Sequence, residues 1–155
     1  MALQNRLATV LLVVASFVGC NAESIGGPLP EGEQPSILES HGRGPLIELP
    51  ARATVGEPFQ ISVGTFAGGC IQHGGTDVDL RTGAILVRPF DVFPGVGAVC
   101  IAIEGVIDHT VSVEVPSEGW YTVQVSGIGV YSDQDGKLRQ KPVAFQRTIL
   151  VLGAN

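Results

Sequence analysis

At 155 residues, with a formal net charge of −6 and only 15% charged side chains, the chain holds about one domain's worth of sequence. The acidic balance excludes the basic footprint of a nucleic-acid binder and offers no electrostatic attraction to anionic lipid head groups. Gly (21) and Pro (10) are plentiful beside many Val and Ile, which favours an all-β domain.

The chain opens with one basic residue, Arg6, and an apolar run over residues 7–18. That run is shorter than the ~20 residues a bilayer requires and suits a signal-peptide core of ~7–15 residues. Phe17-Val18-Gly19-Cys20 resembles the lipobox of bacterial lipoproteins, with Phe17 where that family prefers leucine. The resemblance implies that residues 1–19 are a signal peptide cut before Cys20. It also implies that Cys20 is lipidated and holds the protein to a membrane. Two or more acyl chains give stable anchoring. Asn21, rather than aspartate, follows the cysteine. By the same resemblance this points to the outer membrane, facing the periplasm or the cell surface. The competing reading is an ordinary secretory signal with an incidental cysteine.

Residues 20–45 are rich in Gly, Pro, Glu and Ser. Ile25, Leu29, Ile37 and Leu38 show no period, so the composition predicts a disordered tether. The folded domain is expected over 46–155. Residues 46–49 read as a first strand and 52–58 as a turn. Phe59, Ile61 and Val63 alternate with Gln60 and Ser62 in a second strand. A Gly-rich loop carries His73. Residues 76–80 and 84–90 read as a hairpin about Arg81-Thr82-Gly83, 91–97 as a loop, and 98–104 as a strand holding Cys100.

The clearest signal is 109–127. Val111, Val113 and Val115 alternate with Thr110, Ser112 and Glu114. After Pro116-Ser117-Glu118-Gly119, Tyr121, Val123 and Val125 alternate with Trp120, Thr122 and Gln124. The period of two buries one set, and the turn residues predict a hairpin. Asp133-Gln134-Asp135-Gly136 marks another turn, and 144–152 reads as the closing strand. About eight short strands with regular turn signals predict an antiparallel sandwich or a small barrel. Thr54-Val55-Gly56-Glu57-Pro58-Phe59 resembles the opening of bacterial Ig-like repeats. Gly119-Trp120-Tyr121-Thr122-Val123-Gln124-Val125 resembles a late strand of Ig-like, PKD-like and fibronectin type III-like modules. The resemblance implies an Ig-like β-sandwich of 7–8 strands in which Tyr121 ties the preceding corner. Val123 stands where an antibody-type domain carries cysteine.

With Cys20 assigned to the anchor, Cys70 and Cys100 remain as a pair, and an exported pair is expected to be a disulfide. A zinc site from Cys70, His73, Cys100 and His109 is the rival, and free thiols are the third possibility. Asp77 and Asp79 share one side of a strand and read as solvated. His41, His73 and His109 read as surface residues. Trp120 is either core or an exposed contact for a partner. No nucleophile motif and no phosphate-cradling loop is present. The expectation is therefore a non-catalytic, lipid-anchored envelope module. It would need no metal or cofactor and would bind a protein or a cell-wall glycan. The alternative is a small metal-dependent hydrolase built on Cys70, His73, His109 and Asp77.

Overall fold

Ile61, Val63, Val113, Val123 and Val125 are all buried, so alternation along the chain does build the interior. The computed structural model describes residues 32–95, 98–100 and 103–154. Ten strands run through them: β1 (Gly32–Pro35), β2 (Ile37–Ser40), β3 (Leu46–Glu48), β4 (Arg52–Thr54), β5 (Phe59–Ala67), β6 (Gln72–Arg81), β7 (Ala84–Phe93), β8 (Gly105–Val113), β9 (Gly119–Ser132) and β10 (Leu138–Leu152).

β5 pairs antiparallel with β8 from Phe59–Val113 to Ala67–Gly105. β6 and β7 form the expected hairpin, and β9 and β10 form a long one. Three pairings are parallel: β7 with β9, β2 with β9, and β4 with β10. The sheet is thus mixed, not purely antiparallel. Its path runs β1-β7-β9-β2-β5-β3, with β6 on β7, β8 on β5 and β10 on β9. It curls into a half-barrel, which departs from the antiparallel Ig-like sandwich read from the sequence. β6 and β8 are its two lips, and they face each other.

One edge of β9 is shared. Its first half pairs with β7 and its second half with β2. The consecutive segments β1 and β2 fill the split, β1 on β7 and β2 on β9. Ser36 joins them, donating its N–H to Pro89 O and accepting from Ile128 N–H, both at 3.0 Å. Leu38 then enters the core, fully buried. Residues 32–40 are therefore part of the sheet, which corrects the tether reading for that stretch. Gly127 makes the close approach possible, since a Cβ there would lie 2.5 Å from Ser36 O.

Two other expectations change. In 98–104, the described residues carry no strand. Residues 109–127 are not a hairpin: β8 pairs with β5, and β9 with β7, β2 and β10. The chain arches between them instead, with Val115 buried on the way. The Tyr121 hydroxyl ties that arch, donating to Ser117 O at 3.2 Å and meeting Ser117 Oγ at 2.8 Å. This is the corner role the resemblance implied for Tyr121.

The β9–β10 turn is organised by Asp133. Its Oδ1 accepts the N–H groups of Asp135 (3.0 Å) and Lys137 (2.8 Å), and its Oδ2 accepts Arg139 Nε–H at 2.8 Å. The Arg139 hydrogen bond first, then the Lys137 N–H, hold the Asp133 carboxyl below the ordinary carboxylate value. A pKa lower in the folded than in the unfolded chain stabilises the turn above the unfolded value. That contribution is lost as pH falls through the folded one. An NMR titration of the Asp133 carboxyl is expected to show the lowered midpoint, and Arg139→Ala to raise it towards normal. A midpoint at or above the ordinary value would refute the assignment.

Candidate functional site

The lips of the half-barrel meet through side chains. Along β7, the residues Ile85, Val87, Pro89, Asp91 and Phe93 all point inward, so the strand period carries a carboxyl into the interior. Asp91 is 0% exposed. Along β8, His109 shares parity with Val111 and Val113 and is 1% exposed. A buried polar group is costly unless hydrogen-bonded, and these two satisfy each other: His109 Nε2 lies 3.0 Å from Asp91 Oδ1. The second carboxyl oxygen accepts from Thr65 Oγ1 on β5 at 3.2 Å, and Thr65 also reaches Ile107 O at 3.3 Å. The other imidazole nitrogen, Nδ1, lies 3.1 Å from Thr76 Oγ1 on β6. A proton on Nε2 lets the ring donate to Asp91 and accept from Thr76, so both nitrogens are used. The His73 ring stacks on His109 from the solvent side, centroids 4.4 Å apart and planes inclined by 22°.

A β-bulge makes this possible. The β6–β7 register shifts between His73 and Thr76. An undisturbed strand would send these residues to opposite faces, but the extra residue puts both on the face that meets His109, Thr76 part-buried and His73 exposed. Gly74 sits in the bulge, where a Cβ would come 2.5 Å from Phe90 O. The Gly75 N–H donates to Glu33 Oε1 on β1 at 2.8 Å.

Thr76, His109 and Asp91 form a hydroxyl–imidazole–carboxyl chain, the order of atoms in a nucleophile relay. Such a relay also needs donors for an oxyanion, and the adjacent Gly75 N–H is already engaged by Glu33. What the cluster does in the fold is join four strands, β5, β6, β7 and β8, across the open seam.

The residues proposed for metal-dependent hydrolysis do not assemble here. His73 and His109 meet, but both His109 nitrogens are occupied. Cys70 is bonded to Cys100 in the structure, Cα atoms 5.4 Å apart, an arrangement in which neither sulfur is a thiolate available to zinc. Asp77 is exposed on the opposite face and pairs with Arg88 at 3.9 Å. Asp79 pairs with Arg81 at 2.9 Å. Among the described residues no group of three or more His, Cys, Asp or Glu could hold a metal ion. Cys20 lies outside the described residues.

The outer face of β9 and β10 is the second candidate. Trp120 is 68% exposed, so it is not core. Cross-strand register places Trp120 opposite Leu150, Thr122 opposite Thr148 and Gln124 opposite Gln146. Gln146 Nε2 donates to Gln124 Oε1 at 3.1 Å.

The sequence reading missed Asp91 and Thr76, and misplaced His109 on the surface. The signal was parity. Asp91 continues the inward set of β7, and His109 continues that of Val111, Val113 and Val115. No protein-family model matches the chain, and neither a curated protein nor a solved structure matches it.

Proposed function

We propose that the protein is a non-catalytic binding module of the cell envelope, lipid-anchored through Cys20, that engages its partner with the outer face of β9 and β10. The observation that carries this is Trp120, a large aromatic residue left 68% exposed near the start of β9, opposite Leu150 of β10. Tryptophan is enriched among the residues that dominate interfaces, because its rigid ring supplies much contact area at little entropic cost. The Cys70–Cys100 disulfide suits an oxidising, extracytoplasmic compartment. The Gly19-Cys20 boundary after an apolar run supports the anchor.

One experiment in intact cells tests both parts. A photo-crosslinking residue at position 120 is expected to capture a discrete envelope component that the same residue at position 137 does not. A palmitate analogue is expected to label the wild type and not Cys20→Ala. Equal capture from both positions would overturn the binding face. Labelling of Cys20→Ala, or none of the wild type, would overturn the anchor.

A further inference from the structure

We infer that the outer face of β9 and β10 is a binding strip for a neutral polysaccharide chain, an inference that rests on the binding-module reading above. Three successive cross-strand pairs form the strip: Trp120–Leu150, Thr122–Thr148 and Gln124–Gln146. Pairs on one face recur every two residues, so the strip runs ~14 Å along the strands. The first pair offers an apolar surface, and the exposed indole supplies a flat π face. The other two offer only hydroxyls and carboxamides, groups that both donate and accept hydrogen bonds.

A sugar chain has the matching chemistry. Its rings carry apolar C–H faces that sit on an indole, and its rims carry hydroxyls that exchange hydrogen bonds with Thr and Gln. A protein partner of ordinary composition would favour a wider apolar centre around the tryptophan, whereas on β9 and β10 the pairs after the first are Thr–Thr and Gln–Gln, with Ala84 and Leu86 of β7 alongside them. None of the six side chains is charged. The chain as a whole carries −6, which repels polyanions such as uronic-acid polymers and teichoic acids. Arg52, opposite Leu150 on β4, stands at one end of the strip, outside the three pairs. The Gln146–Gln124 hydrogen bond holds both carboxamides in one orientation, so part of the ordering cost of binding is met before the ligand arrives.

Trp120 is the chain's single tryptophan, so its fluorescence reports directly on the strip. The test uses the full chain in detergent, with galactomannan and dextran as soluble probes, cellulose and chitin as insoluble ones, and alginate and polygalacturonate as anionic controls. At least one neutral polymer is expected to bind saturably, to shift or quench Trp120 emission if soluble, and to remain bound in 1 M salt. The anionic polymers are expected not to bind. In depletion assays Trp120→Ala is expected to weaken association at least about tenfold. Trp120→Phe should weaken it less, and Gln124→Ala with Gln146→Ala about threefold. Since Trp120 is exposed, its replacement leaves the core intact. Binding unchanged in Trp120→Ala would overturn the inference. So would binding of none of the neutral polymers: if position 120 still cross-links specifically in cells, the binding-module reading survives with a different ligand class. If it does not, both readings fall together.

Discussion

Replacing His109 with leucine is expected to destabilise the domain by about 3–5 kcal/mol, the usual cost of removing one member of a buried, hydrogen-bonded ionisable pair. The reason lies with Asp91. That carboxyl is wholly buried, and without the imidazole it retains, among the described residues, only the Thr65 hydroxyl. Thr76 loses its partner as well, though it is half-buried and can turn to water. Asp91→Leu is expected to be costly for the converse reason. The double variant should cost clearly less than the two single changes together, because removing both polar groups leaves neither orphaned. Equilibrium urea unfolding of the four proteins measures this cycle. A loss below about 1 kcal/mol for His109→Leu would mean that the seam does not depend on the cluster. Since domains of this size are stable by ~5–15 kcal/mol, the expected loss is a large share of the total.

The second large effect concerns the Cys70–Cys100 bond. It closes a loop of 30 residues that contains the whole β6–β7 hairpin and with it Thr76 and Asp91. Limiting the unfolded chain in this way is worth about 3.5 kcal/mol on the chain-entropy argument. Cys70→Ala with Cys100→Ala should lower the unfolding free energy by about that amount, and dithiothreitol should do the same to the wild type but nothing to the variant. A change under 1 kcal/mol would show that the unfolded ensemble is not confined by the bond. The two effects should not simply add. The bond tethers β6 and β7 through the segments that lead to β5 and β8, and the cluster joins the same four strands, so the sites are coupled.

How much of this could be read in the sequence depended on whether the determining interaction was local. Phe59, Ile61 and Val63, and likewise Val113, Tyr121, Val123 and Val125, declare their buried face by alternation alone. The turn at Asp133 is equally local, because its acceptors and donors lie within six residues. The pairing of β8 was hidden. Pro116 to Gly119 breaks the chain in the same way whether the next strand folds back on the last one or arches to another part of the sheet, so turn chemistry cannot tell a hairpin from an arch. β1 and β2 were hidden because their order comes from backbone bonds to β7 and β9, with Leu38 the fully buried apolar side chain that rewards it. The polar cluster was half legible. Parity puts Asp91 and His109 inside, and two buried polar groups require partners. That they are each other's partners depends on the curl that brings β8 round to β6 and β7, a long-range event no local pattern records. Trp120 was ambiguous because a strand's outward residue becomes core wherever a second layer covers it.

The place where the sheet begins also sets a length. If Cys20 is held in a bilayer, as proposed, the span between it and the first described strand ends at Gly32, the first residue of β1, and not at residue 46. Twelve peptide units can extend at most about 40 Å, whereas the twenty-six units to residue 46 could extend about 90 Å. Such a leash would hold the domain within about 40 Å of the bilayer. Force along the leash would load β1 and β2 first, the two short segments lodged between β7 and β9.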